Sequence, residues 1–238
     1  MPSTNIGVQH KWPPKLTLVI GNKNYSSWSL RPWLAMAATG VPFAEVLIPL
    51  DFPNSKQQIL QYSPTGLVPA LKYGHLILWE SLSIIEFVND KHPEAKLWPE
   101  EQELRALARS MSMEVHSGYQ ALRAHCPMNL RRRAVRRLTA DVENDVSRLI
   151  AQWKQMRTEF GGNGHFLFGE FGAVDAMFAP IAARIRSYEI PVDRNAADYV
   201  DAILNLPAFH MWYQAAVAEP WRIPSTDNID KLRPVLGR

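Results

Sequence analysis

A six-residue apolar run, LTLVIG from Leu16 to Gly21, limits how the first third of this chain can fold. Such a run, bounded by turn residues, is a strand buried on both faces. The next twelve residues, NKNYSSWSLRPW, lead into a helical pattern that Gly40 stops. In that pattern SLRPWLAMAATG is the helix, with Pro32 in its first turn, where a missing N–H costs little. FAEVLIPL then reads as a second strand. Strand, crossover helix and strand imply parallel pairing. NSKQQILQYS is a short helix, and VPALKYGHLILWE is a hairpin, Val68–Lys72 and Leu76–Trp79 around a turn near Tyr73-Gly74. SLSIIEFVNDKH closes the segment as a helix that ends before Pro93. The order β-α-β-α-β-β-α describes a small mixed sheet with helices on its faces.

From about Glu100 onward the periodicity is helical throughout. Leu104, Leu107, Ala108, Met111 and Val115 recur at 3–4 spacing, as do Val135, Leu138, Val142, Val146, Leu149, Ile150 and Trp153. VDAMFAPIAARIRSYE is apolar almost all round on its early turns and reads as the central buried helix; AADYVDAILN and PAFHMWYQAAVAE are shorter ones. The fold class is α/β plus all-α. Of the 238 residues 47% are apolar and 21% charged, a composition that supports a sizeable core. Lys and Arg exceed Asp and Glu by 26 to 23, too little to imply a nucleic-acid partner. With Cys126 the only cysteine, no intrachain disulfide or cysteine zinc site is expected, which fits a reducing, cytoplasmic setting. The seven histidines show no metal-ligand spacing. No apolar stretch is long enough to span a bilayer. Residues 1–14 contain no apolar core of a secretory signal and read as a loose extension.

Taken alone, Ser26, Ser27 and Ser29 are good candidates for a helix N-cap. Three further features accompany them: Val68-Pro69 at a strand start, Glu80-Ser81 at a helix start, and FLFGEFGAVDAMFAP in the helical half. In this order and spacing the chain resembles the glutathione S-transferase family, most closely its serine-type zeta and theta branches, from about Leu16 to Ala218. SSWSLR fits over the zeta Ser-Ser-Cys-Ser-x-Arg stretch, with Trp28 in place of the cysteine. The resemblance implies a thioredoxin-like glutathione-binding domain (15–92), a linker (93–99), an all-helical domain (100–218), a tail (219–238) and a homodimer. It implies that a serine hydroxyl at a helix start stabilises glutathione as thiolate for attack on an electrophile. By this alignment Ser26 holds the catalytic position, Ser27 is its rival, and Arg31 adds positive potential. Val68, before a cis Pro69, would pair with the cysteinyl backbone, and Glu80 and Ser81 would take the γ-glutamyl end. Glutathione is the co-substrate, with no metal. Peroxidase or isomerase side activity occurs in such families, but Trp28 argues against maleylacetoacetate isomerase.

The second-substrate pocket is expected near the end of the long helix, at His116, Tyr119 and Arg123, for which ordinary packing is an equal reading. Cys126 is far from the first strand and a poor nucleophile candidate. Gly172 replaces the hydroxyl of the family's capping box, leaving Asp175 to cap. The basic run LRRRAVRRL, Leu130–Leu138, reads as a solvated helix start rather than a nucleic-acid site. The alternative to a transferase is a glutathione- or ligand-binding protein with little turnover on the same fold.

Overall fold

The computed structural model describes residues 15–231. The residues read as a loose N-terminal extension lie outside them. The first half contains β1 (Leu16–Ile20), α1 (Ser27–Ala38), β2 (Ala44–Leu47), α2 (Ser55–Leu60), β3 (Ala70–Tyr73), β4 (Leu76–Trp79) and α3 (Ser81–Lys91). The sheet order is β2-β1-β3-β4. β1 and β2 are parallel, with Thr17 opposite Ala44, while β3 runs antiparallel to β1 and forms a hairpin with β4. Only β4 of the hairpin is an edge, so Pro69 precedes an interior strand. Gly74 turns the hairpin at φ +61°, and Gly40 follows α1 at φ +75°, conformations that favour glycine.

The alternation of β1 explains why its whole run is apolar. Leu16, Leu18 and Ile20 enter the main core with Leu30 and Leu34 of α1 and Ile84 and Ile85 of α3. Val19 points the other way, into a small cluster with Ile48, Ala70 and Ile59 of α2. α1 begins at Ser27, two residues before the expected start, because Ser26 caps it. Pro32 therefore lies in the second turn, where it removes the bond residue 32 would make to the Trp28 carbonyl.

The second half contains α4 (Gln102–Ser117), α5 (Gln120–His125), α6 (Ala140–Phe160), α7 (Ala173–Ser187), α8 (Arg194–Leu204), α9 (Pro207–Ala218) and a single-turn α10 (Pro224–Asp227). α7 is the central helix: every residue except Arg186 is buried, and it packs on α1, α4 and α8. Asp175 supports its start, accepting from the N–H groups of Gly172 (2.9 Å) and Leu167 (3.3 Å) and the Tyr199 hydroxyl (2.7 Å).

Two expectations are corrected. Leu130–Leu138 is not a helix start; α6 begins at Ala140, and Val135 is 70% exposed. The run is held open by distant partners. Leu130 N–H and Arg131 N–H donate to the Asn24 backbone and side-chain oxygens, and Ala134 N–H donates to the Ser187 carbonyl. Arg132 forms a two-pronged pair with Asp230 at 2.6 and 3.0 Å. The prolines at 220, 224 and 234 predict an extended tail, but its described part forms the single-turn α10, with Pro224 at its first position.

Candidate functional site

The loop between β1 and α1 is buried, unusually for a loop: Asn22, Lys23, Asn24 and Tyr25 are all shielded from solvent. It delivers two serines to the start of α1. The Ser26 Oγ accepts from the Ser29 N–H at 3.4 Å and donates to the Ser29 Oγ at 2.7 Å. The Ser29 Oγ in turn accepts from the Gly21 N–H at 3.1 Å. Ser26 is thus the helix cap, tied to the end of β1 through Ser29. Ser27, the first helical residue, has a different partner: its Oγ accepts from Nη2 of Arg184 on α7 at 3.4 Å. The two serines are 6% and 7% exposed.

Both serines line a cavity of about 520 Å³ that runs between the start of α1 and the Thr65–Val68 loop. An adjoining cavity of about 330 Å³ shares Trp28, Thr65, Leu67 and Val68 with it and continues to Pro69, Trp79, Glu80 and His116. The Val68-Pro69 bond between them is cis. Glu80 stands at φ +69° just before α3, a backbone conformation rare outside glycine and costly unless its surroundings impose it. Among the described residues α3 has no side-chain cap, and the fully buried Ser81 Oγ has no hydrogen-bond partner. Glu86, near enough in sequence to serve a cap, instead accepts from Trp98 Nε1 and Arg109.

A family profile described as "Glutathione S-transferase, N-terminal domain" matches residues 25–91, the segment that carries the serines, the cis proline and Glu80-Ser81. Residues 25–91 thus resemble the N-terminal domain of the glutathione S-transferases, and the chain spans about half the length of the first of its curated relatives. It is 33% identical over 97 residues to a probable maleylacetoacetate isomerase of Caenorhabditis elegans, a match that spans 41% of this chain and 45% of that protein. It is 22% identical over 219 residues to glutathione S-transferase omega-1 of Mus musculus, covering 91% of this chain and 82% of that one. Among solved structures, a glutathione transferase homologue from Burkholderia, with bound glutathione, superposes with a TM-score of 0.66 at 19% identity, over 86% of this chain and 98% of that chain. This last likeness supports the transferase fold.

The wall behind the serines is cationic. Arg31 is fully buried, and its Nη2 donates to the Val115 carbonyl at 3.1 Å. Arg123 donates to the same carbonyl and to that of Gly118. Both guanidiniums thus sit on the unpaired carbonyls at the end of α4, where the helix dipole favours cations. Arg31 also lies 4.3 Å from the Trp28 ring centre and Arg123 5.3 Å, while His116 meets the ring edge-on at 5.0 Å. Burial, then Arg123 and Arg184, hold Arg31 well below the usual arginine range; Glu80 opposes them. Burial pulls Arg184 down to about 9. Burial, then Arg31, lowers the His116 pKa, so its 3.4 Å contact with Glu80 is made by a neutral imidazole at neutral pH.

Of the residues singled out in the sequence, Ser26, Ser27, Val68, Pro69, Glu80 and His116 line the paired cavities. Arg31 and Arg123 lie behind Trp28. Tyr119 turns the other way, its hydroxyl meeting Glu114 and Gln152. Cys126 is buried, with its thiol pushed up to about 11 by burial. Arg184 was missed. Its signal was an arginine within the apolar stretch 176–185, where a buried charge needs partners; it finds Ser27 Oγ and the carbonyls of Cys126 and Pro180. Among the described residues no helix is long and apolar enough to cross a membrane, and no three His, Cys, Asp or Glu side chains group to hold a metal.

Proposed function

We propose that the chain is a glutathione transferase in which the Ser27 hydroxyl stabilises glutathione as its thiolate for attack on a small electrophile. The observation that carries this reading is the difference between the two serines. The Ser26 proton is engaged by Ser29, whereas the Ser27 oxygen accepts from Arg184 and, among the described residues, its proton has no acceptor. A hydroxyl whose oxygen is held by a guanidinium is a stronger donor, and the start of α1 and the cations behind Trp28 add potential that favours an anion. The alignment favoured Ser26; its hydrogen bonds make it the cap.

The rest of the groove suits the tripeptide. The Val68 backbone pairs with the cysteinyl unit, the Ser81 hydroxyl and the first N–H groups of α3 receive the γ-glutamyl carboxylate, and Glu80 receives its ammonium. The electrophile meets the sulfur on the side of Trp28 and His116. We take the active species to be a cytoplasmic homodimer, as is usual in the family. Turnover of glutathione with an activated aryl halide tests the reading. Ser27→Ala should lower kcat on the order of 100-fold. Unchanged turnover in both Ser26→Ala and Ser27→Ala would remove the serine from the mechanism.

A further inference from the structure

The buried loop that carries the serines is held by the far end of the chain. The Lys23 and Asn24 N–H groups donate to the two oxygens of Glu219, just past α9, at 2.6 and 3.2 Å. The Lys23 carbonyl accepts from Trp212 Nε1 of α9 at 2.9 Å. The Tyr25 hydroxyl donates to Asp227 of α10 at 2.9 Å. These contacts join residues far apart in sequence, and buried loop N–H groups would otherwise be left unpaired.

The holding segment is itself fixed. Arg131 donates to the carbonyls of Ala216, Glu219 and Trp221 at 2.7–3.1 Å, and so brackets the end of α9. Arg131 also donates its own N–H to the Asn24 side chain at 3.0 Å, and Asn24 donates to Asn129 at 2.9 Å. The basic segment, the strap after α9 and the serine loop therefore form one closed hydrogen-bonded unit. Its output end is the turn in which Tyr25 and Ser26 N–H groups return to the Asn22 carbonyl, at 3.1 and 2.8 Å. That turn sets where α1 begins, and so where the Ser27 hydroxyl points.

We infer that Glu219 is a positioning residue for thiol activation: its carboxylate clamps the Lys23-Asn24 backbone and thereby places the serine hydroxyl against the glutathione sulfur. The inference rests on the transferase reading above. Glu219→Gln keeps the side-chain shape but turns an amide NH₂ toward one of two N–H donors, so the clamp opens on one side. Tyr25→Phe removes a single hydroxyl from the second grip and leaves the apolar ring in place. Asp175→Asn, at the start of α7, serves as a control that perturbs folding away from the loop.

The experiment measures the thiol pKa of bound glutathione by ultraviolet absorbance, with kcat and KM for glutathione and the melting of each full-length variant. In folded Glu219→Gln, kcat falls roughly tenfold, the bound thiol pKa rises, and KM for glutathione stays within about twofold, since the Val68 and Glu80-Ser81 contacts are untouched. Tyr25→Phe moves kcat and thiol pKa in the same direction by less, and Asp175→Asn leaves the thiol pKa at the wild-type value. The inference is overturned if Glu219→Gln and Tyr25→Phe titrate as wild type, or if activity is lost only in proportion to the folded fraction. If wild type itself shows no bound thiolate, the transferase reading fails first, and this inference with it.

Discussion

Ser26 and Ser27 are adjacent, chemically identical and equally buried, yet their neighbours give them different work. Removing the Ser26 hydroxyl removes a cap, so Ser26→Ala should cost about 1 kcal/mol in denaturant unfolding while much of the turnover survives. Removing the Ser27 hydroxyl leaves the cap in place and takes from Arg184 only one long hydrogen bond, so Ser27→Ala should lose far more turnover than Ser26→Ala at a comparable cost in stability. The reverse pattern would exchange the two roles. The sequence displayed the serine cluster but not this division, because Arg184 is 157 positions from Ser27. Asp175 offers a pH test at the same scale. Burial pushes its carboxyl up to about 6, against hydrogen bonds from Tyr199, Gly172 and Leu167. An unfolded aspartate titrates near about 3.9, so the folded chain keeps this proton to higher pH. Its contribution to stability is full below about pH 4 and is lost as pH rises through about 6, a change of roughly 3 kcal/mol. Asp175→Asn should abolish that slope in denaturation curves taken from about pH 4 to about pH 7; a parallel slope in the variant contradicts it.

Elements with strong periodicity were legible in the sequence. β1, the hairpin and α7 fall close to where the apolar patterns place them, since each buries a face its own residues define. The segment Leu130–Leu138 was not, although its leucines and valine fit the helical spacing of α6. Its conformation is decided by what its arginines reach: carbonyls at the end of α9 for Arg131, and Asp230 for Arg132. Local pattern carries no record of such partners. Arg131→Gln should therefore destabilise by about 1–3 kcal/mol, because the carbonyls of Ala216, Glu219 and Trp221 lose their donors together. Chemical denaturation measures it, and a loss near zero would mean that the arginine is merely solvated.

The two halves of the molecule share one core. α1 packs on both α7 and α9, Trp33 meets Trp212 at 5.1 Å, and the main cluster runs from Leu16 to Ile229 without interruption. Tryptophan fluorescence and far-ultraviolet dichroism should accordingly report a single coincident thermal transition; two separated transitions would mean that the halves unfold independently. This arrangement also places the site. The serine loop belongs to the sheet half, but Arg184, Val115, Glu219 and Asp227 of the helical half hold it and its surroundings in place. Val68-Pro69 and Glu80 were legible as candidates because their motifs are local, and they line one cavity of the folded chain, whereas the cationic wall and the C-terminal clamp arise only on folding. The most direct test is the ultraviolet difference spectrum of glutathione bound to wild type and to Ser27→Ala at neutral pH. Thiolate absorbance in wild type that is lost in Ser27→Ala, with glutathione still bound, is the expected result; equal thiolate absorbance in both proteins, or none in wild type, contradicts thiol activation by this serine.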